Sequence, residues 1–144
     1  MHVVAWFVSV SLCVASLIMS ARLRAGLVIK LALGAIFGGM ALLTMVGWTL
    51  KKFDMQPSHA FTTILIQVLL TINVTAMLNI MNVAFHKMVD AHGAFHRRFN
   101  AASLHRFPVS FVISGAPQLK RLATTFWSLG SALMLYGLWF HMKL

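Results

Sequence analysis

Acidic residues are almost absent from this sequence. Asp54 and Asp90 are the only two among 144 residues, against twelve lysines and arginines, and the formal net charge is +10. General acid–base catalysis and metal-assisted hydrolysis rely on carboxylates, and two that lie 36 positions apart are a poor basis for either. No P-loop, GxGxxG or serine-hydrolase pattern is present. The sequence therefore predicts that the chain is not an enzyme.

Charge of either sign is scarce. Charged residues make up 10% of the chain and hydrophobic residues 60%, and the mean hydropathy is +0.85. Ordinary soluble domains carry roughly 25% charged residues, so this composition excludes a soluble monomer. No shift in composition marks a second unit. We expect one all-α domain over residues 1–144, an integral membrane helical bundle.

Cysteine is also nearly absent, and Cys13 alone cannot form a disulfide within the chain. The seven histidines lack acidic or thiolate partners, so we expect them at the membrane surfaces and predict no metal, haem or other cofactor. His92 and His96 can share a helical face, but no third ligand accompanies them. The N-terminus lacks the positive region of a signal peptide, and the first segment is expected to be retained.

Four long uncharged runs are present. Each has about 18 to 25 residues, enough at about 1.5 Å per residue to cross a hydrocarbon core about 30 Å thick. Tryptophans near their ends are typical of membrane interfaces; Trp48, Trp127 and Trp139 are examples. The runs predict four transmembrane helices, separated by turns and by one long basic interfacial segment at residues 86–121. The four predicted spans are residues 3–20, 31–50, 61–85 and 122–142.

The basic residues are unevenly distributed between these spans. The three connections carry three, two and six, and the C-terminus carries one, so alternate sides of the bundle hold nine against three. The positive-inside rule then predicts that both termini lie outside the cytoplasm, as for a multi-pass protein of a bacterial inner membrane. Bases in such positions bind lipid headgroups, so we do not expect nucleic acid as a partner.

The most basic connection contains aromatic residues at helical spacing. Residues 85–107 are therefore expected to form a helix along the inner leaflet, with aromatic rings in the interface. Arg97, Arg98 and Arg106 would then bind lipid phosphates. A solvated loop is the alternative.

Polar residues recur every three or four positions along the third span. That spacing puts them on one side of a helix. A buried amide or hydroxyl in hydrocarbon requires a partner, so the stripe is expected either to hydrogen-bond to other helices or to face water in a pore. Its members are Gln67, Thr71, Thr75, Asn79, Asn82 and His86.

Small residues line the first two spans. Gly34 and Gly38 form a GxxxG motif in the second, a spacing that lets two helix backbones approach closely, within one chain or between copies. The first span carries a comparable face of Ser9, Cys13, Ser16 and Ser20.

The first 85 residues resemble small phage holins with three transmembrane segments. The likeness rests on the short first span, the basic hairpin at residues 21–30, the glycine-rich second span, and a third span that contains Ile72 and Asn73 and ends at Asn82 and Val83. The 59 residues after Phe85 have no counterpart in that pattern. The resemblance implies copies that accumulate in the inner membrane and assemble into lesions.

Two functions therefore compete. The first is a self-assembling lesion former of the holin type, a homo-oligomer in which the polar stripe turns toward water. The second is a non-catalytic accessory or assembly subunit of a larger membrane complex, in which the stripe packs against other helices. A small channel or transporter is a third possibility.

Overall fold

The chain folds into a bundle of long helices. A computed structural model describes residues 2–142, and within that range every regular element is helical and there is no β-strand. The fold class is therefore all-α, as predicted. The α-helices are α1 (His2–Ser20), α2 (Ala25–Lys52), α3 (His59–Phe99), α4 (Val109–Ser114) and α5 (Ala116–Tyr136). A 3₁₀ turn (Ala101–Ser103) precedes α4, and a π-helical turn (Gly137–His141) continues α5.

Three helices are long and apolar enough to cross a membrane: α1, α2 and α3. They contain the first three predicted spans. The fourth predicted span, residues 122–142, coincides with the later part of α5 and its π-helical turn. That helix also contains Lys120 and Arg121 near its start, which lowers its average hydropathy.

The long helices alternate in direction, with α3 at the centre. Hydrogen bonds fix the register: Trp6 of α1 donates to the Ala132 carbonyl of α5, 3.2 Å away, and Gln67 of α3 donates to the Leu138 carbonyl, also 3.2 Å away. Asn79 of α3 donates to Ser16 of α1. Thus α1 runs parallel to α3, and α5 runs antiparallel to both. α2 packs mainly against α3.

The main apolar core lies between α1, α3 and α5. It consists of Cys13, Leu17, Leu78, Leu135 and Trp139, each at most 7% exposed. Small side chains on α1 leave room for Leu135 and Trp139, which is how α1 and α5 approach each other. Trp139, expected from its position to lie at an interface, is instead part of this core. No residue of α2 belongs to the cluster.

α3 extends well past the predicted third span. It has 41 residues, so it is about 60 Å long, twice the thickness of a hydrocarbon core. The expectation of a separate helix over residues 85–107 is wrong: residues 85–99 continue α3, and the chain then turns. The reason is tertiary. α4 and the start of α5 fold back along α3, where Gly93 is buried close to Ile113 and Asp90 forms an ion pair with Lys120.

Candidate functional site

The polar residues of α3 lie along the middle of the bundle, between α1 and α5. We call the set Gln67, Thr71, Thr75, Asn79, Asn82 and His86 the polar seam. It spans twenty residues of helix, a rise of about 29 Å, which is close to the thickness of a hydrocarbon core. Gln67, Asn79 and Asn82 are buried, and the other three are partly buried. Each member hydrogen-bonds to neighbouring helices or along its own helix, except Thr75, whose carbonyl accepts from Asn79.

Asn82 connects three helices and is fully buried. Its Nδ2 donates to the Leu17 carbonyl at 3.3 Å and lies 3.5 Å from the Ser20 hydroxyl, both in the last turn of α1. Its Oδ1 accepts from the Thr124 hydroxyl of α5 at 3.0 Å. The Leu17 carbonyl also accepts from the Ala21 backbone N–H and the Ser20 hydroxyl, so Asn82 adds a bond between helices at the end of α1.

Gln67 likewise donates from its side-chain amide to a carbonyl near the end of a neighbouring helix, here beyond α5. Its Nε2 donates to the Leu138 carbonyl, which lies in the π-helical turn that ends the bundle helix. Near the other end of the seam, His86 Nε2 lies 3.1 Å from the Lys120 carbonyl and 3.2 Å from the Thr124 hydroxyl. The seam therefore ties α5 to α3 at both ends.

Asn79 and the two threonines occupy the middle of the seam. Asn79 Nδ2 donates to the Ser16 hydroxyl of α1 at 2.8 Å and to the Thr75 carbonyl one turn earlier. Thr71 donates to the Gln67 carbonyl in its own helix. Thr71, Thr75 and Asn79 also face a cleft beside the seam. This middle stretch is where the seam is least enclosed by α5.

Four buried polar atoms have no hydrogen-bond partner among residues 2–142: Gln67 Oε1, Asn79 Oδ1, Trp127 Nε1 and Trp139 Nε1. Buried polar groups are normally satisfied, so each is a place where water or a bound molecule would gain a hydrogen bond. Asn79 and Trp139 both line the cleft. Gln67 and Trp139 also line a smaller cavity near His2 and His59.

The cleft separates α1 from α2 and has α3 as its floor. Its volume is about 490 Å³, within the range of roughly 300–1,000 Å³ usual for ligand sites. Its lining is mostly apolar and includes Leu12 of α1, Leu31 of α2 and Ile72 of α3, while Ser16 of α1 and Asn79 of α3 contribute polar groups. Leu23, in the short connection between α1 and α2, closes one end.

The glycine motif of α2 faces away from the rest of the chain. A Cβ added at Gly34 or Gly38 would meet nothing within 4 Å, and both residues are exposed. α2 instead approaches α3 at Gly39, where an added Cβ would lie 3.3 Å from Leu69 Cδ2. Within the described chain, the GxxxG face has no helix packed on it.

The predicted headgroup-binding arginines lie apart from the seam. Arg97 and Arg98 are exposed near the end of α3, and Arg106 is exposed in the following turn. The Arg98 guanidinium lies 5.1 Å from the centre of the Phe99 ring. Nearby, His92 and His96 are in edge-to-face contact, and among the described residues no three His, Cys, Asp or Glu side chains form a group suited to a metal ion.

Sequence reasoning did not identify the partners of the seam on α5. Thr124 binds Asn82 and His86, and the Leu138 carbonyl, in the π-helical turn that continues α5, accepts from Gln67. The pair Thr124–Thr125 near the start of an apolar run was an available signal for the first. Backbone carbonyls carry no sequence signal at all.

Comparison with protein-family models, with curated proteins and with solved structures finds no match to this chain. Its function is therefore argued from the geometry of the bundle.

Proposed function

We propose that this chain is a multi-pass membrane protein with four spans that acts as a non-catalytic, helix-packing subunit of a larger membrane assembly. α1, α2 and α3 provide three spans by length and hydropathy. α5 with its π-helical turn is the fourth, because it is packed antiparallel against α1 and α3 over the same length. A bacterial inner membrane is the expected location.

The charge distribution supports this arrangement. The alternating helix directions place nine basic residues toward one end of the bundle. They are Arg22, Arg24 and Lys30 around the α1–α2 connection, Lys87, Arg97 and Arg98 in the later part of α3, Arg106 before α4, and Lys120 and Arg121 near the start of α5. At the opposite end the described residues hold Lys51 and Lys52. The positive-inside rule then orients the basic end toward the cytoplasm and both termini away from it. Reporter fusions after Leu144 and near Asn100 should report opposite sides; the same side for both would remove the fourth span.

One observation carries the proposed role: the buried amides of the polar seam are bonded to the chain's own helices, while the glycine face of α2 has no helix packed on it. Gln67, Asn79 and Asn82 all bond to α1 or α5. Surfaces left for other subunits are therefore apolar, and the one best suited to close helix packing is the face of Gly34 and Gly38.

The test uses that face. Replacing Gly34 and Gly38 together by Leu should not disturb the isolated chain, since an added Cβ at either position meets open space. It should, however, abolish co-migration of the chain with its complex on native gels of mildly solubilised membranes. Gly47→Leu is the matched control, because Gly47 is in the same helix and equally open. Unchanged co-migration of the double variant would contradict this docking role.

A holin-type lesion former is the second candidate. It is favoured by the same uncovered face, since copies of the chain could associate through Gly34 and Gly38. In that case a lesion lined by the polar seam would require α1 and α5 to move away from α3. Expression of the chain alone should then collapse the membrane potential, and Gly34→Leu/Gly38→Leu should prevent it. A well-expressed chain that leaves the potential intact would favour the packing subunit.

A further inference from the structure

The cleft between α1 and α2 has the position, length and charge of a lipid site. We propose that it binds one acyl chain of an anionic phospholipid, whose phosphate is held by Arg22 and Arg24 in the connection between the two helices. This inference rests on the proposed insertion of the bundle in a membrane, but on neither of the two functions considered above.

The length of the cleft matches one leaflet. Along α1 it runs from Ser9 to Ser20, and along α3 from Val68 to Asn79. Each stretch covers eleven residues of rise, or about 17 Å, close to half of a hydrocarbon core about 30 Å thick. A cleft of this length that begins at the helix connection would follow a lipid chain from the interface toward the midplane.

The interior of the cleft has the chemistry of an acyl-chain site. It is lined by Leu12 of α1, Leu31 of α2, and Val68 and Ile72 of α3, and among residues 2–142 no charged side chain lines it. α1 and α2 do not close over it, so a chain could enter sideways from the bilayer.

The mouth of the cleft is basic. Leu23, which lines its end, stands between Arg22 and Arg24, and Lys30 follows one turn into α2. All three bases are exposed, and none has an acidic partner among residues 2–142: Asp90 pairs with Lys120, and Asp54 is at the opposite end of the bundle. Free cations near a membrane surface attract anionic headgroups, and guanidinium groups suit phosphate oxygens.

The test is lipid retention by the full chain. Protein in mild detergent is titrated with phosphatidylglycerol or with phosphatidylcholine, and bound lipids are counted by native mass spectrometry. We expect one phosphatidylglycerol to be retained in preference to phosphatidylcholine. Ala35→Phe, which places a ring in the cleft, should weaken retention of both by roughly tenfold, as expected if several methylenes are displaced. Ala41→Phe, on the same helix outside the cleft, is the control.

The charge at the mouth is tested separately. Arg22→Gln with Arg24→Gln should lower phosphatidylglycerol retention about tenfold or more and remove the preference over phosphatidylcholine. Lys51→Gln with Lys52→Gln removes the same charge at the opposite end of α2 and should change nothing. The arginine variant alters no packed residue, so it remains informative if Ala35→Phe misfolds.

Three results would overturn the proposal: equal retention of the two lipids by the wild type, no effect of the arginine pair, or no effect of a folded Ala35→Phe. A dimer that Ala35→Phe dissociates, with lipid retention unchanged, would assign the cleft to a second copy. Resistance of the chain to carbonate extraction is measured in parallel. An extractable chain would contradict membrane insertion itself, whereas an inserted chain that retains no phosphatidylglycerol would contradict only the cleft assignment.

Discussion

The two sides of α3 are built differently. On one side, α1 and α5 share a core cluster with α3 and are held by hydrogen bonds from Gln67, Asn79 and Asn82. On the other side, α2 is held by contacts such as that of Gly39 with Leu69, and only Val28 and Ala32 of its 28 residues are buried. Within residues 2–142, the side chains of α2 form hydrogen bonds only to its own backbone.

This difference indicates which helices are fixed by hydrogen bonds to one another and which helix is left largely exposed. A polar side chain between two helices in hydrocarbon adds directional bonds that lipid cannot replace, so α1, α3 and α5 have a defined register. The packing of α2 on α3 is extensive but, among residues 2–142, contains no side-chain hydrogen bond between the two helices, so its register is less strictly defined. Both proposed binding surfaces, the GxxxG face and the cleft, involve α2.

The largest expected effect comes from a substitution in the core between α1, α3 and α5. Leu135 is 0% exposed, and Leu135→Ala should lower the free energy of unfolding by about 2–3 kcal/mol because it leaves a cavity between α1 and α5. Leu33→Ala, at a 42% exposed position of α2, should cost less than about 0.5 kcal/mol. Denaturant unfolding in detergent micelles measures both. Equal losses of unfolding free energy in the two variants would contradict the difference between the two sides of α3.

The next effect concerns the polar seam. Asn82→Leu removes bonds to two helices and should destabilise the bundle by about 1–2 kcal/mol, the upper range for hydrogen bonds in membranes. Asn73→Leu is its control, because Asn73 donates only to the Leu69 carbonyl of its own helix. The control should be close to neutral in the same assay. If the two variants behave alike, the seam does not hold the helices together.

The smallest expected effect tests the contact between α2 and α3. Gly34→Ala and Gly39→Ala make the same change in one helix and share the same gain in helix propensity. At Gly39 the new methyl would press on Leu69 at 3.3 Å, whereas at Gly34 it meets open space. Gly39→Ala should therefore be less stable than Gly34→Ala by about 0.5 kcal/mol. The opposite order would mean that α2 does not rest on α3 at Gly39.

Two predictions from the sequence, for Trp139 and for residues 85–107, are wrong for the same reason. Trp139 occupies a position typical of an interfacial anchor but is buried, because the small face of α1 admits its ring. Residues 85–107 have the amphipathic composition of a surface helix, but α4 and the start of α5 supply a tertiary partner for the continuation of α3. Composition describes what a segment can contact. It does not determine which other segments of the chain pack against it.

Sequence alone determined the helical class, the three apolar helices long enough to cross a membrane, and the placement of six polar residues on one side of α3, since each depends on composition or on the period of a helix about its own axis. Only the tertiary structure decided that this stripe meets α1 and α5, that Asn82 and Gln67 bond to helix ends, and that the glycine face of α2 remains uncovered. Those features depend on which helices, distant along the chain, pack together, and the identity of a helix's neighbour is not encoded in its own periodicity.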